Sequence, residues 1–174
     1  MSTQGIDFDK LTLMDALDLA TMIEEEARDR YGELAVQLEV HHTPEAATFF
    51  RKMMQVEEIH RSELAARRRE RFGDAAPRVR GEMIFDVEAP EYDEARAGMS
   101  IRAALDSAMR SEVKAHDFFA AAIPRVLDPA VKALFAELQA EELEHQEWVR
   151  IELAKHSDVG VGDDAGEPDE PVAH

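Results

Sequence analysis

The sequence predicts an all-α fold: a four-helix bundle made of two similar antiparallel hairpins joined by a long crossover. Three observations predict it. Apolar residues recur at alternating steps of three and four along four stretches, the spacing of a helical core stripe. The stretches match in pairs at fixed offsets, so half of the design repeats. Two of the breaks between them are short and one is long, which gives two tight hairpins and one connection able to change ends.

The first helix is expected to start near Leu11 to Thr12, with Asp15 and Asp18 close to its beginning, and to run to about His42. Its stripe is Leu13, Leu17, Ala20, Glu24, Ala27, Tyr31, Leu34. Thr43-Pro44-Glu45-Ala46 reads as a capping residue followed by proline at the first helical position. The second helix then runs to about Phe72, closed by Gly73, on the stripe Ala46, Phe50, Met53, Glu57, His60, Leu64. From Gly73 to Pro90 the stripe is lost among two Pro and two Gly. A third helix is expected from about Glu91 to Asp93 through Ile123, on Ile101, Leu105, Ala108, Glu112, Ala115, Phe119, Ala122. Pro124 and Asp128-Pro129 mark the turn into a fourth, which fades near His156 and carries Val131, Phe135, Leu138, Glu142, His145, Val149.

The repeat is legible residue by residue. Glu57, His60 and Phe50 precede Glu142, His145 and Phe135 by 85 positions each, so TPEAATFFRKMMQVEEIH and DPAVKALFAELQAEELEH are copies of one design. The stripes of the first and third helices match at an offset of 88, Glu24 against Glu112 and Tyr31 against Phe119 among them. Each hairpin thus supplies one lone Glu and one Glu-x-x-His. Residues equidistant from a tight turn lie level, and the midpoints of Glu24 with Glu57 and of Glu112 with Glu142 fall beside the two short turns. The long connector, about eighteen residues, reaches roughly 60 Å at ~3.3 Å per residue, enough to run the length of a bundle and start the second hairpin from the other end. Its length also permits exchange of hairpins between subunits.

Composition excludes several classes of function. The absence of cysteine removes disulfides, thiolate nucleophiles and Cys-ligated zinc or iron-sulfur sites. A net charge of −18 argues against nucleic acid and anionic membrane surfaces as partners. The N-terminal residues lack a signal-peptide pattern and no apolar run reaches membrane length, so a soluble, cytoplasmic protein is expected. Residues 1–156 form the expected domain. Residues 157–174 hold six acidic residues and no Lys or Arg among Gly and Pro, and read as an acidic disordered tail.

Four carboxylates and two imidazoles therefore sit where Leu belongs. Glu-x-x-His puts both side chains on one side of a helix, one turn apart, where both can grip one cation. Burying unpaired carboxylates costs several kcal/mol each, and no stripe position is Lys or Arg. Two divalent cations balance the four negative charges, each with its own terminal Glu and His, Glu57 and Glu142 placed to bridge. Carboxylate oxygen with imidazole suits iron or manganese, with zinc able to substitute. Open positions on such a ferrous pair allow its oxidation by peroxide or dioxygen.

The run Asp15-Ala-Leu-Asp-Leu-Ala, then Glu24-Glu25-Glu26-Ala27-Arg28-Asp29-Arg30-Tyr31, with Glu57-x-x-His60, Glu112 and Glu142-x-x-His145, resembles rubrerythrin and its erythrin relatives in the ferritin-like superfamily. Arg69-Glu-Arg-Phe-Gly-Asp74 is similar to the erythrin domains that some membrane iron exporters carry at their N-terminus. The resemblance spans roughly residues 8–156 and implies a ferritin-like four-helix bundle. It also implies a di-iron centre held by Glu24, Glu57, His60, Glu112, Glu142 and His145, peroxide reduction or ferrous oxidation, and pairing as a homodimer. Two departures stand out. Without a Cys-x-x-Cys rubredoxin module, any electron donor is a separate protein; and Ala115 occupies the place of a second rubrerythrin glutamate, which makes the set closer to bacterioferritin-type ferroxidase centres. A non-catalytic iron carrier or storage-cargo protein is the rival expectation, and a metal-free helical interaction module is a third.

Several residues admit plainer readings. Glu39-x-x-His42 repeats the ligand spacing but lies about 22 Å along the first helix from Glu24, at the turn, and reads as surface. His116, four after Glu112, reads as a polar bundle-side histidine sooner than an extra ligand. Tyr31 is read both as a donor near the metals and as core packing with a satisfied hydroxyl. Glu141 is read both as a carboxylate orienting His145 and as a solvated glutamate. Phe49, Met53, Met54, Phe118 and Trp148 are expected to be packing residues.

Overall fold

A computed structural model describes residues 6–40, 44–80, 87 and 100–156, and all regular structure among them is helical. A 3₁₀ turn, Phe8–Lys10, leads into α1, Leu13–Val40; α2 spans Pro44–Phe72, α3 Ile101–Ala122 and α4 Pro129–Lys155. A second 3₁₀ turn, Ile123–Arg125, bends the chain between α3 and α4.

The helix ends are set by local chemistry. Thr12 and Asp15 form a reciprocal cap on α1: the Asp15 N–H donates to Thr12 Oγ1 at 3.3 Å, and the Thr12 N–H donates to Asp15 Oδ2 at 3.1 Å. Arg78 then clamps Asp15 from the far side, its Nε 2.9 Å from Oδ1. Gly73 closes α2 with φ of 56°, its N–H bonded to the Arg69 carbonyl at 2.9 Å, a left-handed closure that strains any side chain-bearing residue. Asp128 caps α4, accepting from the Ala130 N–H at 2.8 Å with Pro129 just inside.

The third helix departs from expectation. Ser100 is extended and its side chain accepts from the Ala103 N–H, so α3 begins at Ile101, where a helix running unbroken from about Glu91 to Asp93 was expected. Residues 91–99, His42, Thr43 and the acidic segment 157–174 lie outside the described residues, as does most of the crossover.

Two apolar clusters fill the bundle. One gathers Leu17, Ala20 and Ile23 of α1, Leu64 of α2, Phe118 and Phe119 of α3, and Val131, Phe135 and Leu138 of α4. The other gathers Ala27, Tyr31 and Leu34, then Ala46, Phe50 and Met53, then Leu105 and Ala108, then Val149. The clusters fix the helix directions: α1 and α4 run one way, α2 and α3 the other. Arg78, bound to the start of α1, and Ile101, packed on the second cluster, therefore lie at opposite ends of the bundle. The connection between them changes ends, as its length predicted. The closest helix pairs are α1 with α2 and α3 with α4, the two expected hairpins. No helix among the described residues is long and apolar enough to cross a membrane.

Candidate metal centre

Between the clusters lies a polar layer. It begins where each stripe reaches its glutamate: after Ile23 on α1, after Met53 on α2, after Ala108 on α3 and after Leu138 on α4. The structure brings all six residues singled out in the sequence into this layer. Glu24, Glu57, Glu112, Glu142 and His145 are buried, and His60 is the partly open member.

The geometry follows the repeat. Nδ1 of His60 lies 3.9 Å from Glu24 Oε2 and 3.8 Å from Glu57 Oε2. Nδ1 of His145 lies 3.0 Å from Glu112 Oε2 and 3.8 Å from Glu142 Oε2. The other Glu57 oxygen, Oε1, is 3.8 Å from His145 Nδ1, so one buried carboxylate faces both imidazoles. The rings stack with centroids 5.0 Å apart and planes 4° from parallel. In Glu57, His60 and His145, and again in Glu112, Glu142 and His145, one ligand atom per residue falls within 4.8 Å of the others. That span is near the diameter of a coordination shell with bonds of roughly 2.1 Å.

Burial and neighbours set the charge states. Burial pushes the Glu24 carboxyl up to about 7, against which a bond to Glu57 and the His145 ring act only partly. Glu112 is as deeply placed, but hydrogen bonds from His145, Glu142 and Tyr31 outweigh burial and hold it below the ordinary carboxylate value. Burial opposes charge on His145 as well, yet Glu112 raises it, so each of these two favours the charged form of the other. Burial, with His145 nearby, lowers His60.

The secondary readings now separate. The Tyr31 hydroxyl donates to Glu112 Oε1 at 2.7 Å, so it is both core and site. His116 is held by Asp117 at 3.1 Å and Gln139 at 3.2 Å, a polar link between α3 and α4. Glu141 does not orient His145, whose Nε2 has no hydrogen-bond partner. Glu39 pairs with Arg51 at the surface. Met53 and Phe118 are core, whereas Trp148 is 40% exposed with its ring 5.2 Å from that of His145. No pattern in the sequence pointed to Gln146, which donates to the Glu112 carbonyl at 3.3 Å and ties α4 to α3 beside the layer.

The residues fit a bound metal pair on an observation of their own. Glu24 Oε2 and His145 Nε2 are buried polar atoms with no hydrogen bond, an arrangement that costs about 1–3 kcal/mol each unless something else meets them. Such a helical bundle, with carboxylate and imidazole groups gathered at its centre, defines a ferritin-like protein with candidate metal-binding groups. The family model described as Rubrerythrin matches residues 15–155, and the chain belongs to that family. Among solved structures it is similar to an uncharacterised conserved protein from Magnetospirillum magnetotacticum, with 29% identity and a TM-score of 0.67 over 83% of this chain and 95% of that one. No curated protein matches.

Proposed function

We propose that the chain is a non-haem di-iron oxidoreductase of rubrerythrin type, reducing hydrogen peroxide or dioxygen as ferrous iron is oxidised. The observation that supports this most is Glu57, whose two oxygens each lie 3.8 Å from a different histidine Nδ1, the arrangement a bridging carboxylate needs. In this reading Glu24 and His60 would hold one ion and Glu112 and His145 the other, with Glu57 and Glu142 within reach of both. A ferrous pair held there supplies the two electrons that reduction of a peroxide consumes; manganese or zinc can occupy the same groups without that chemistry.

The chain's own part is charge, order and exclusion of water. Four carboxylates match the charge of two divalent ions, so a loaded layer is neutral between apolar walls. Metal binding would require His145 to be neutral and Glu24 to be ionised, so it would compete with the protons that Glu112 favours on His145 and burial favours on Glu24. Tyr31 holds Glu112 by one oxygen and leaves the other free to face His145 or an ion. The clusters on both sides shut out bulk solvent and leave the His60 edge as the open face. These 174 residues hold no cysteine, so no rubredoxin-type site lies within them and the electrons for re-reduction come from outside them.

Anaerobic titration with ferrous iron should saturate at two ions per chain. Mixing with peroxide or oxygen should then give, within seconds, the absorption of an oxo-bridged ferric pair, and again after re-reduction. Two ions bound without rapid oxidation would make the protein a carrier or cargo subunit; fewer than one would remove the metal reading.

A further inference from the structure

Beside the layer the repeat is broken at Tyr31. Tyr31 and Phe119 occupy equivalent positions, and the structure keeps the equivalence: the Tyr31 ring lies 5.6 Å from Phe50 and the Phe119 ring 5.5 Å from Phe135, where Phe50 and Phe135 are themselves repeat mates. Only the tyrosine carries a hydroxyl. It bonds Glu112, whereas Glu24, the repeat mate of Glu112, has a buried Oε2 with no hydrogen bond. The histidines differ in the same sense, with 18% of the His60 side chain exposed against 2% for His145.

Resting on the two-metal reading, we infer that the centre is built as one retained and one exchangeable half. Glu112, with Oε1 committed to Tyr31, offers a fixed oxygen beside an enclosed histidine. Glu24, bonded to Glu57 but braced by no phenol, stands beside the one candidate ligand that solvent reaches. Ions enter and leave through the Glu24–His60 half; the Glu112–His145 half keeps its own. Tyr31 is a positioning residue, since it acts through Glu112.

The test loads the full chain with two cobalt(II) ions and follows their release to excess chelator by the visible absorption of the bound ion. Release in two equal phases separated by tenfold or more is expected. Tyr31→Phe should accelerate the slow phase by about tenfold, the size of one lost hydrogen bond to a charged group, and leave the fast phase alone. Phe119→Tyr should slow the fast phase. Glu24→Gln should remove the fast phase and keep a slowly released ion. Far-UV circular dichroism and Tm verify that each variant folds. One phase for both ions, a slow phase indifferent to Tyr31→Phe, or loss of the slow ion in Glu24→Gln would overturn the inference while leaving a two-metal centre standing. Failure to bind two ions at all would sink the two-metal reading instead.

Discussion

Replacing Glu24 by Gln should stabilise the metal-free protein, by an amount that depends on pH in the direction opposite to a salt-bridged carboxylate such as Asp15. Burial lifts this carboxyl from an ordinary 4.5 to about 7. Because the folded value lies above the unfolded one, the folded state holds the extra proton between these values, and stability falls as pH rises through the window. The shift is worth about 3 kcal/mol at ~1.4 kcal/mol per pH unit. Gln has the same shape and no charge to desolvate. Urea denaturation with chelator present should find the variant and the wild type differing by a constant amount below pH 4.5. The advantage of the variant should then grow by about 3 kcal/mol up to pH 8. With manganese or ferrous iron present the order should reverse, since the wild type gains binding energy that the variant cannot. A difference that stays flat with pH, or a wild type that gains on the variant between pH 4.5 and 7 without metal, would refute the claim that burial dominates at Glu24.

Other expectations follow from the same structure. Glu57→Ala, which removes the carboxylate shared by both histidines, should lower metal content from two ions to one or fewer by elemental analysis; two retained ions would reject the bridge. Chelation of the loaded protein should lower its stability, by about 2.7 kcal/mol for an ion present at a hundredfold excess over its Kd, read as a fall in Tm. Asp15→Ala removes both the α1 cap and the seat of Arg78 and should cost about 1–2 kcal/mol in denaturant unfolding. Burial pushes the Asp15 carboxyl up, but Arg78 and Thr12 outweigh it and hold the group below 3.8, so its stabilisation should be complete above pH 3.8 and lost as acid titrates it below that. Phe135→Ala, at a side chain with no exposed surface, should cost about 3–5 kcal/mol.

The bundle and its polar layer were legible because two patterns in the sequence conflict. The helical period assigns Glu24, Glu57, Glu112, Glu142 and His145 to the core, while their chemistry assigns them to water. Only a bound partner or outward-facing helices could reconcile these, and the observed burial removes the second option. The helix starts at Pro44 and Pro129 were equally plain, being fixed by neighbouring residues. What failed was the start of α3: it was expected near Glu91 to Asp93, although the apolar stripe itself starts only at Ile101, and the serine just before it turns its side chain onto Ala103 and caps the helix there. The bond from Tyr31 to Glu112 crosses 81 positions, and the clamp of Arg78 on Asp15 crosses 63. Neither partner can be chosen until the helices are placed.

The duplicated design also explains why the centre is symmetric in some distances and not in others. Contacts made within a helix survive duplication unchanged: each histidine stands 3.8 Å from the glutamate three residues before it. The contact across each hairpin diverges, 3.9 Å for His60 to Glu24 and 3.0 Å for His145 to Glu112. The short contact is the one whose glutamate Tyr31 holds from its other oxygen, and a carboxylate fixed on one side presents the opposite oxygen to its partner more closely. Restoring the hydroxyl with Phe119→Tyr should therefore draw Glu24 toward His60, and should lower the Glu24 pKa in the metal-free protein by the same kind of bond that holds Glu112 ionised. A carboxyl that still titrates near 7 in that variant, followed by infrared difference spectroscopy, would mean that burial alone decides the asymmetry and the phenol does not.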